Sequence, residues 1–299
     1  MKNLINFRKR VGKIALTGIL LLCVALLAGC AKSDTKKTAE TAGADGTQKT
    51  ETSNIAEDSK PLVVAMELAY PPFETKDIAG NPSGISIDFA KALGKSMGRE
   101  VKIVNTAWEG LIPSLQTGKV DLIISSMTIT ESRSQVVDFS VPYANSLLGI
   151  LVNKDSDIQN VQDLDVKGMK VAVRAGSTGF IYAKTNMKNA EVITLADESA
   201  CVTEVTQGKA DGFFYDQLTI YRNQQKHSES TRAVFVPFQD EEKWGVAVKK
   251  GNAELLEKIN AFIPEFIANG EFDKLSEKYL HEEKKAFEDL GFKWFFDLT

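Results

Sequence analysis

The sequence predicts an α/β fold in two lobes of similar construction, each a parallel sheet with helices on both faces. Three observations carry this. Short apolar runs alternate with amphipathic segments along the body of the chain, as they do where crossover helices join parallel strands. Two stretches rhyme: WEGLIPSLQTGKVDLII (108–124) and ESACVTEVTQGKADGFF (198–214) both pass from a helix through Gly-Lys, a small apolar residue and Asp into a buried strand. Polar residues from both halves of the chain gather just after the strands, where open parallel sheets hold their ligands.

Taken in order, LVVAM at 62–66 is the first strand, and a helix follows over about 86–97. A strand at 101–105 and a helix at about 109–117 lead to a strand at 120–124, then a short helix at 131–136. In the second half, strands at 170–174 and 210–214 bracket helices at about 179–188 and 197–207. Gly118 and Gly208 close the two rhyming helices and suit a left-handed cap. Cys201 falls in the amphipathic 197–207 helix and reads as a small core residue.

The amino-terminal region stands apart from this body. Lys2, Arg8, Lys9, Arg10 and Lys13 precede an apolar stretch from about Ile14 to Ala28. That is the form of a secretory signal, with an apolar segment short for a permanent anchor. It closes in Leu27-Ala28-Gly29-Cys30, which resembles a bacterial lipobox. The resemblance implies cleavage before Cys30 and a diacylglycerol on its sulfur, each buried methylene contributing roughly 0.8 kcal/mol to membrane attachment. Residues 1–30 thus read as a lipoprotein signal, and the mature chain as extracytoplasmic and lipid-anchored. Residues 31–60 have almost no large apolar side chain and cannot offset their ordering entropy by burial. They read as a flexible tether with a reach of roughly 30 Å.

What remains, about 240 residues, is enough for two lobes with separate cores. The leader carries five of the 36 Lys and Arg residues and no acid, so the mature chain has 31 basic against 40 acidic residues, a net charge of −9. That balance disfavours nucleic acid and anionic membrane surfaces as partners. With Cys23 in the signal and Cys30 carrying lipid, only Cys201 remains, and no disulfide forms within the lobes.

The strongest chemical signal is SSMTITESRSQVVDFS (125–140). A core has no use for small hydroxyls and a lone arginine at the end of a buried strand; a bound anion does. Similar clusters follow the other strands: Glu67 and Tyr70 after the first, Gly176, Ser177 and Thr178 after the fourth, and Asp216 after the fifth. Plainer roles exist for each. Ser126, Thr128 and Asp216 also suit helix capping; Arg133 suits a solvated helix face, Ser177 and Thr178 a turn, and Trp108 a core.

These residues stand in a recognisable order. YPPF (70–73), WEGLIPSLQTGKVDLIISSMTIT (108–130), ESRSQVVDFSVPY (131–143), VAVRAGST (171–178) and ADGFFYD (210–216) resemble the family 3 solute-binding proteins of bacterial ABC transporters, which bind polar amino acids. Coverage runs from about 61 to 280. The resemblance implies a periplasmic-binding-protein-like fold: lobe 1 from 61–150 and 241–299, lobe 2 from 151–240, two hinge strands between them, and a ligand in the interlobe cleft. It implies an ABC permease and its ATPase as partners, a monomer, and no cofactor or metal. Two departures stand out. Gly84-Ile85-Ser86 replaces the family's common Gly-Phe-Asp, which is expected to alter packing near the cleft without touching the ligand. The tail 281–299, with Phe287, Phe292, Trp294, Phe295 and Phe296, extends past the usual end, to pack on a lobe or to mark a partner surface.

On this reading Arg133 grips the ligand's carboxylate through paired N–H···O bonds. Helix starts near Thr130 and Gly179 aim N–H groups at the same anion. Ser126, Met127, Thr128, Ser177 and Thr178 line it, and Asp216 takes the ammonium. Tyr70 and Trp108 sandwich the apolar stem of the side chain. Glu67, a carboxylate in a low-dielectric cleft, repels acidic side chains and favours arginine, lysine or histidine, with glutamine or cystine next.

Two rival readings share the fold. A dehydratase of prephenate-like acids needs a general acid, for which Glu67 is the one candidate. His227 and His281 are far apart in sequence, and there is no His-Glu-x-x-His, metal-spaced Cys cluster or phosphate-loop lysine. A sensory receptor domain would hand cleft closure to another protein. Binding without turnover is the expectation.

Overall fold

The computed structural model describes residues 60–298. The signal at 1–30, lipidation at Cys30 and all but the last residue of the 31–60 tether lie outside the described residues.

Two five-stranded sheets organise the chain. The first runs, edge to edge, Val101–Asn105, Leu62–Met66, Leu122–Ile123, Ala247–Lys249, Val137–Phe139. The second runs Glu191–Leu195, Lys170–Arg174, Gly212–Asp216, Leu148–Asn153, Thr231–Val234. Each begins with three parallel strands in the chain order second, first, third. The purely parallel sheets expected from the alternation are not what forms. Ala247–Lys249 and Leu148–Asn153 each run antiparallel to both neighbours. The reason is the crossing between lobes. Ala144–Ser146 and Glu242–Trp244 pair as an antiparallel ribbon, and the next strand after each enters its new sheet from the ligand-facing end. By Leu148 the chain is already in the second sheet.

Both faces of each sheet are covered, which is why the strands read as continuous apolar runs. Leu62, Val64 and Met66 point into one cluster with Phe89 and Ile259, while Ala65 joins Leu111, Leu115 and Ile123 on the other face. Phe214 packs with Ile150 and Val171, and Phe213 with Leu151 and Cys201 on the opposite side. Cys201 is a buried free thiol in that core.

The rhyming segments do the same work in both lobes. Helices Trp108–Gln116 and Glu198–Thr206 are followed by left-handed Gly118 (φ 72°) and Gly208 (φ 67°). Asp121 Oδ2 then accepts the Val63 N–H at 2.8 Å, and Asp211 Oδ2 the Lys170 N–H at 2.7 Å. Each aspartate pins the third strand of its sheet to the first.

Beyond Asp216 the chain adds helices not expected from the alternation: Gln217–Lys226, Ala253–Ala268, Glu271–Tyr279 and His281–Asp289. The last belongs to the aromatic tail, which packs onto the first lobe. Phe287, Trp294, Phe295 and Phe296 are buried in the cluster that holds Phe73, Tyr143 and Phe272.

Candidate ligand-binding site

The carboxyl ends of both sheets meet across one cavity. Glu67, Tyr70, Trp108, Ser126, Thr128 and Arg133 line it from the first lobe, and Ser177, Thr178 and Asp216 from the second. Met127, expected among them, is not there. The backbone turns at Ser126 (φ 47°), and the next side chain, Met127, is buried away from the cavity in the core with Leu111, Leu115 and Val137. The cavity measures about 60 Å³.

Arg133 sits in the short helix Glu131–Ser134, whose N-cap Thr130 accepts the Arg133 N–H. Its guanidinium donates to the Thr128 carbonyl at 2.7 Å and, across the cleft, to the Gly176 carbonyl at 3.0 Å. Burial lowers its pKa to about 10, still cationic at neutral pH. The same Gly176 carbonyl accepts Trp108 Nε1–H at 3.2 Å. Gly176 has φ 70°, and a Cβ there would meet Trp108 Nε1 at 3.1 Å, so the close approach requires glycine. Ser177 caps helix Thr178–Asn186 through Phe180 N–H, one residue earlier than the expected start. This helix start, Ser177 and Thr178, lines the cavity, whereas Thr130 and Glu131, the other helix start expected to face the anion, do not.

Glu67 is not the lone carboxylate that the sequence reading assumed. Arg174, at the end of the fourth strand, donates to Glu67 Oε2 at 2.5 Å from the other lobe. Glu67 Oε1 accepts the Trp108 N–H at 3.1 Å, so one carboxylate both caps a helix and bridges the cleft. Arg174 also donates to Tyr215 Oη at 3.0 Å. Burial works against its charge, but Tyr215 and Glu67 outweigh burial and raise its pKa. The guanidiniums of Arg133 and Arg174 lie 5.2 and 5.6 Å from the Trp108 ring centroid, within cation–π range.

Asp216 is the N-cap of helix Gln217–Lys226, its Oδ1 accepting the Leu218 and Thr219 N–H groups at 3.0 Å each. The Tyr70 hydroxyl donates to the same oxygen at 2.7 Å from the first lobe. Burial raises the Asp216 pKa against these bonds. Capping and a place on the cavity wall coexist in one residue.

Sequence reasoning missed Glu74. It is 1 % exposed and accepts from Ser86 at 2.6 Å, Ser126 at 3.1 Å and Ser125 at 3.4 Å. It thereby holds Ser126, which has φ 47°, at the cavity edge. The Gly84-Ile85-Ser86 departure belongs here, because Ser86 is a direct partner of Glu74. Burial pushes the Glu74 pKa up to about 8, against lowering by the three hydroxyls. An acid whose folded pKa exceeds its unfolded value stabilises most below the unfolded pKa, and that stability is lost as pH rises through the folded one. Unfolding free energy should therefore fall by up to about 1.4 kcal/mol per pH unit between about pH 5 and 8 through this group. Glu74→Gln should remove that component. Denaturant titrations across the range test this, and equal pH slopes in both proteins would rule it out.

The other missed residues divide into two kinds. Arg174 and Tyr215 sit at strand ends, and the rule that found Glu67 applies equally to them. Ser146, Glu242 and Trp244 line the cavity from the crossing ribbon, where no strand-end signal exists. Glu242 accepts from Thr128 at 2.8 Å, and burial raises its pKa. The buried Ser146 hydroxyl has no hydrogen-bond partner among the described residues.

Two α/β lobes that close on a charged crevice define a bilobal receptor for a small polar solute. The chain belongs to the bacterial extracellular solute-binding proteins, family 3, which it matches over residues 62–282. It is 30% identical over 226 residues to the L-cystine-binding protein TcyJ of Escherichia coli (strain K12), covering 76% of this chain and 85% of that one. It is 30% identical over 279 residues to the ABC transporter glutamine-binding protein GlnH of Bacillus subtilis (strain 168), covering 92% and 98%. An ancestral arginine-binding protein solved with arginine superposes with a TM-score of 0.68 at 38% identity, over 74% of this chain and 98% of that one; an ancestral arginine-binding protein solved with glutamine superposes with a TM-score of 0.67 at the same identity and coverage. Amino-acid binding is the activity these relatives share, and ABC transport is its setting. Among the described residues no helix is long and apolar enough to cross a membrane.

Proposed function

We propose that the protein captures one free polar L-amino acid between its lobes and delivers it to an ABC importer, held to the membrane by lipid on Cys30. One observation carries this reading: Arg133 and Asp216, opposite charges from separate lobes, border the same buried crevice. The α-carboxylate lies on Arg133 with Ser126, Thr128, Ser177 and Thr178, and the α-ammonium on Asp216. Closure follows because only the shut form gains both sets of contacts. Turnover is not needed for this role, and Glu67, the general acid considered from the sequence, is engaged by Arg174 and the Trp108 N–H.

The Glu67–Arg174 pair supports glutamine ahead of the basic amino acids, reversing the order drawn from Glu67 alone. A neutral amide offers a carbonyl oxygen to Arg174 and N–H groups to Glu67. A guanidinium or ammonium would stand beside Arg174 and lose much of what Glu67 contributes. A basic ligand is the second reading, favoured by Glu198, a further, half-buried carboxylate that interacts with Asp216, Arg174 and Glu67, and by the arginine complex of the ancestral relative.

Isothermal titration calorimetry with glutamine, arginine, lysine, histidine, cystine and glutamate tests both levels. Glutamine should bind most tightly, and Arg174→Leu should shift preference toward arginine and lysine by about tenfold or more, the equivalent of ~1.4 kcal/mol. Wild type favouring arginine tenfold would overturn the side-chain assignment. Failure to bind any of the six would overturn the amino-acid reading itself.

A further inference from the structure

The family match ends at residue 282, yet the chain beyond it does more than extend the first lobe's core. Helix His281–Asp289 faces helix Gln217–Lys226 of the second lobe, the helix capped by Asp216. Arg222 donates through Nε to Glu283 Oε1 at 2.9 Å, with a second bond from Nη2, and through Nη1 to the Pro71 carbonyl at 2.7 Å. Phe287 meets Tyr221 edge to face, ring centroids 5.8 Å apart. Further on, Phe292 packs edge to face on Phe235 of the second lobe at 4.8 Å. The end of the tail ties down the crossing ribbon itself. Asn145 N–H donates to the Phe295 carbonyl at 2.6 Å, and its side-chain amide donates to the Asp297 carbonyl.

These contacts are placed to act on the cleft. Arg222 and Pro71 lie on the rim of the interlobe groove, together with Glu67, Tyr70 and Arg174. Parting the lobes draws Arg222 away from Pro71 and Glu283 together. A contact made only in the shut form stabilises that form, and it slows ligand escape without touching the ligand.

We infer that the tail is a strap that holds the second lobe shut on its ligand, with Glu283 a positioning residue for the helix capped by Asp216 and Phe292 a second hold on the same lobe through Phe235. The inference rests on the amino-acid reading above and adds a determinant of residence time outside the family-matched region.

Stopped-flow tryptophan fluorescence on the full chain, with glutamine and with arginine as probes, tests it in Glu283→Gln and Phe292→Ala. Both variants should release the bound amino acid about three- to tenfold faster, the range expected for losing a partly exposed ion pair or a ring contact. Association rates should stay within about twofold, since escape rather than encounter is what interface contacts mainly set. A merely structural tail would lower the thermal midpoint measured without amino acid and leave the release rate alone. Release within about twofold of wild type in both variants overturns the strap, whatever the midpoints do. Wild type failing to bind either probe or any other free amino acid is a different failure, that of the amino-acid reading.

Discussion

Arg133→Ala should weaken amino-acid binding by about 2–5 kcal/mol, the range for truncating one member of a buried charge pair, or roughly thirtyfold to several thousandfold in Kd. Three losses combine. The ligand carboxylate is left in a buried crevice without its bidentate partner. The Thr128 carbonyl loses its guanidinium donor, and the Gly176 carbonyl is left with Trp108 Nε1–H alone of its two side-chain donors. Trp108 loses one of its two stacked cations. Arg133→Lys should recover little, because an ammonium is a point charge and cannot span two carbonyls from different lobes while meeting a carboxylate. Calorimetry with the preferred amino acid measures the effect. An alanine variant binding within a few-fold of wild type would remove Arg133 from the site.

Asp216→Asn should separate function from stability. Asparagine caps helices as well as aspartate does, so the bonds from the Leu218 and Thr219 N–H groups survive. The carboxylate is buried, and burial raises its pKa, which means its charge is a cost to the folded protein. A neutral isostere should leave the thermal midpoint without ligand unchanged or slightly raised. Binding should fall by at least about 2 kcal/mol, because the ligand's ammonium loses its buried counter-charge. Stability and binding then move in opposite directions, as at many sites built for a ligand. Paired melting and calorimetry test this. A variant that binds normally would show that Asp216 serves only as a cap.

Much of the fold was legible because its signals are local. Strands 62–66, 101–105 and 170–174 coincide with Leu62–Met66, Val101–Asn105 and Lys170–Arg174, since both faces of each sheet are covered and the runs stay apolar. The reversed strands Leu148–Asn153 and Ala247–Lys249 carry no such mark, as direction is not written in hydropathy. The tail's aromatics announced burial but not where. Phe287 and Phe295 enter a core assembled mostly from residues far earlier in the chain.

By itself, then, the amino-acid sequence determined the lobes, the repeated helix–strand units and the polar residues at strand ends. Period, caps and end-of-strand chemistry are short-range properties that each segment carries alone. Tertiary structure decided what those residues mean to one another. Glu67 and Arg174 are 107 positions apart, and only the closing of one lobe on the other turns a lone acid into half of an ion pair. Electrostatics depends on distance through space, and that distance does not exist until the chain has folded.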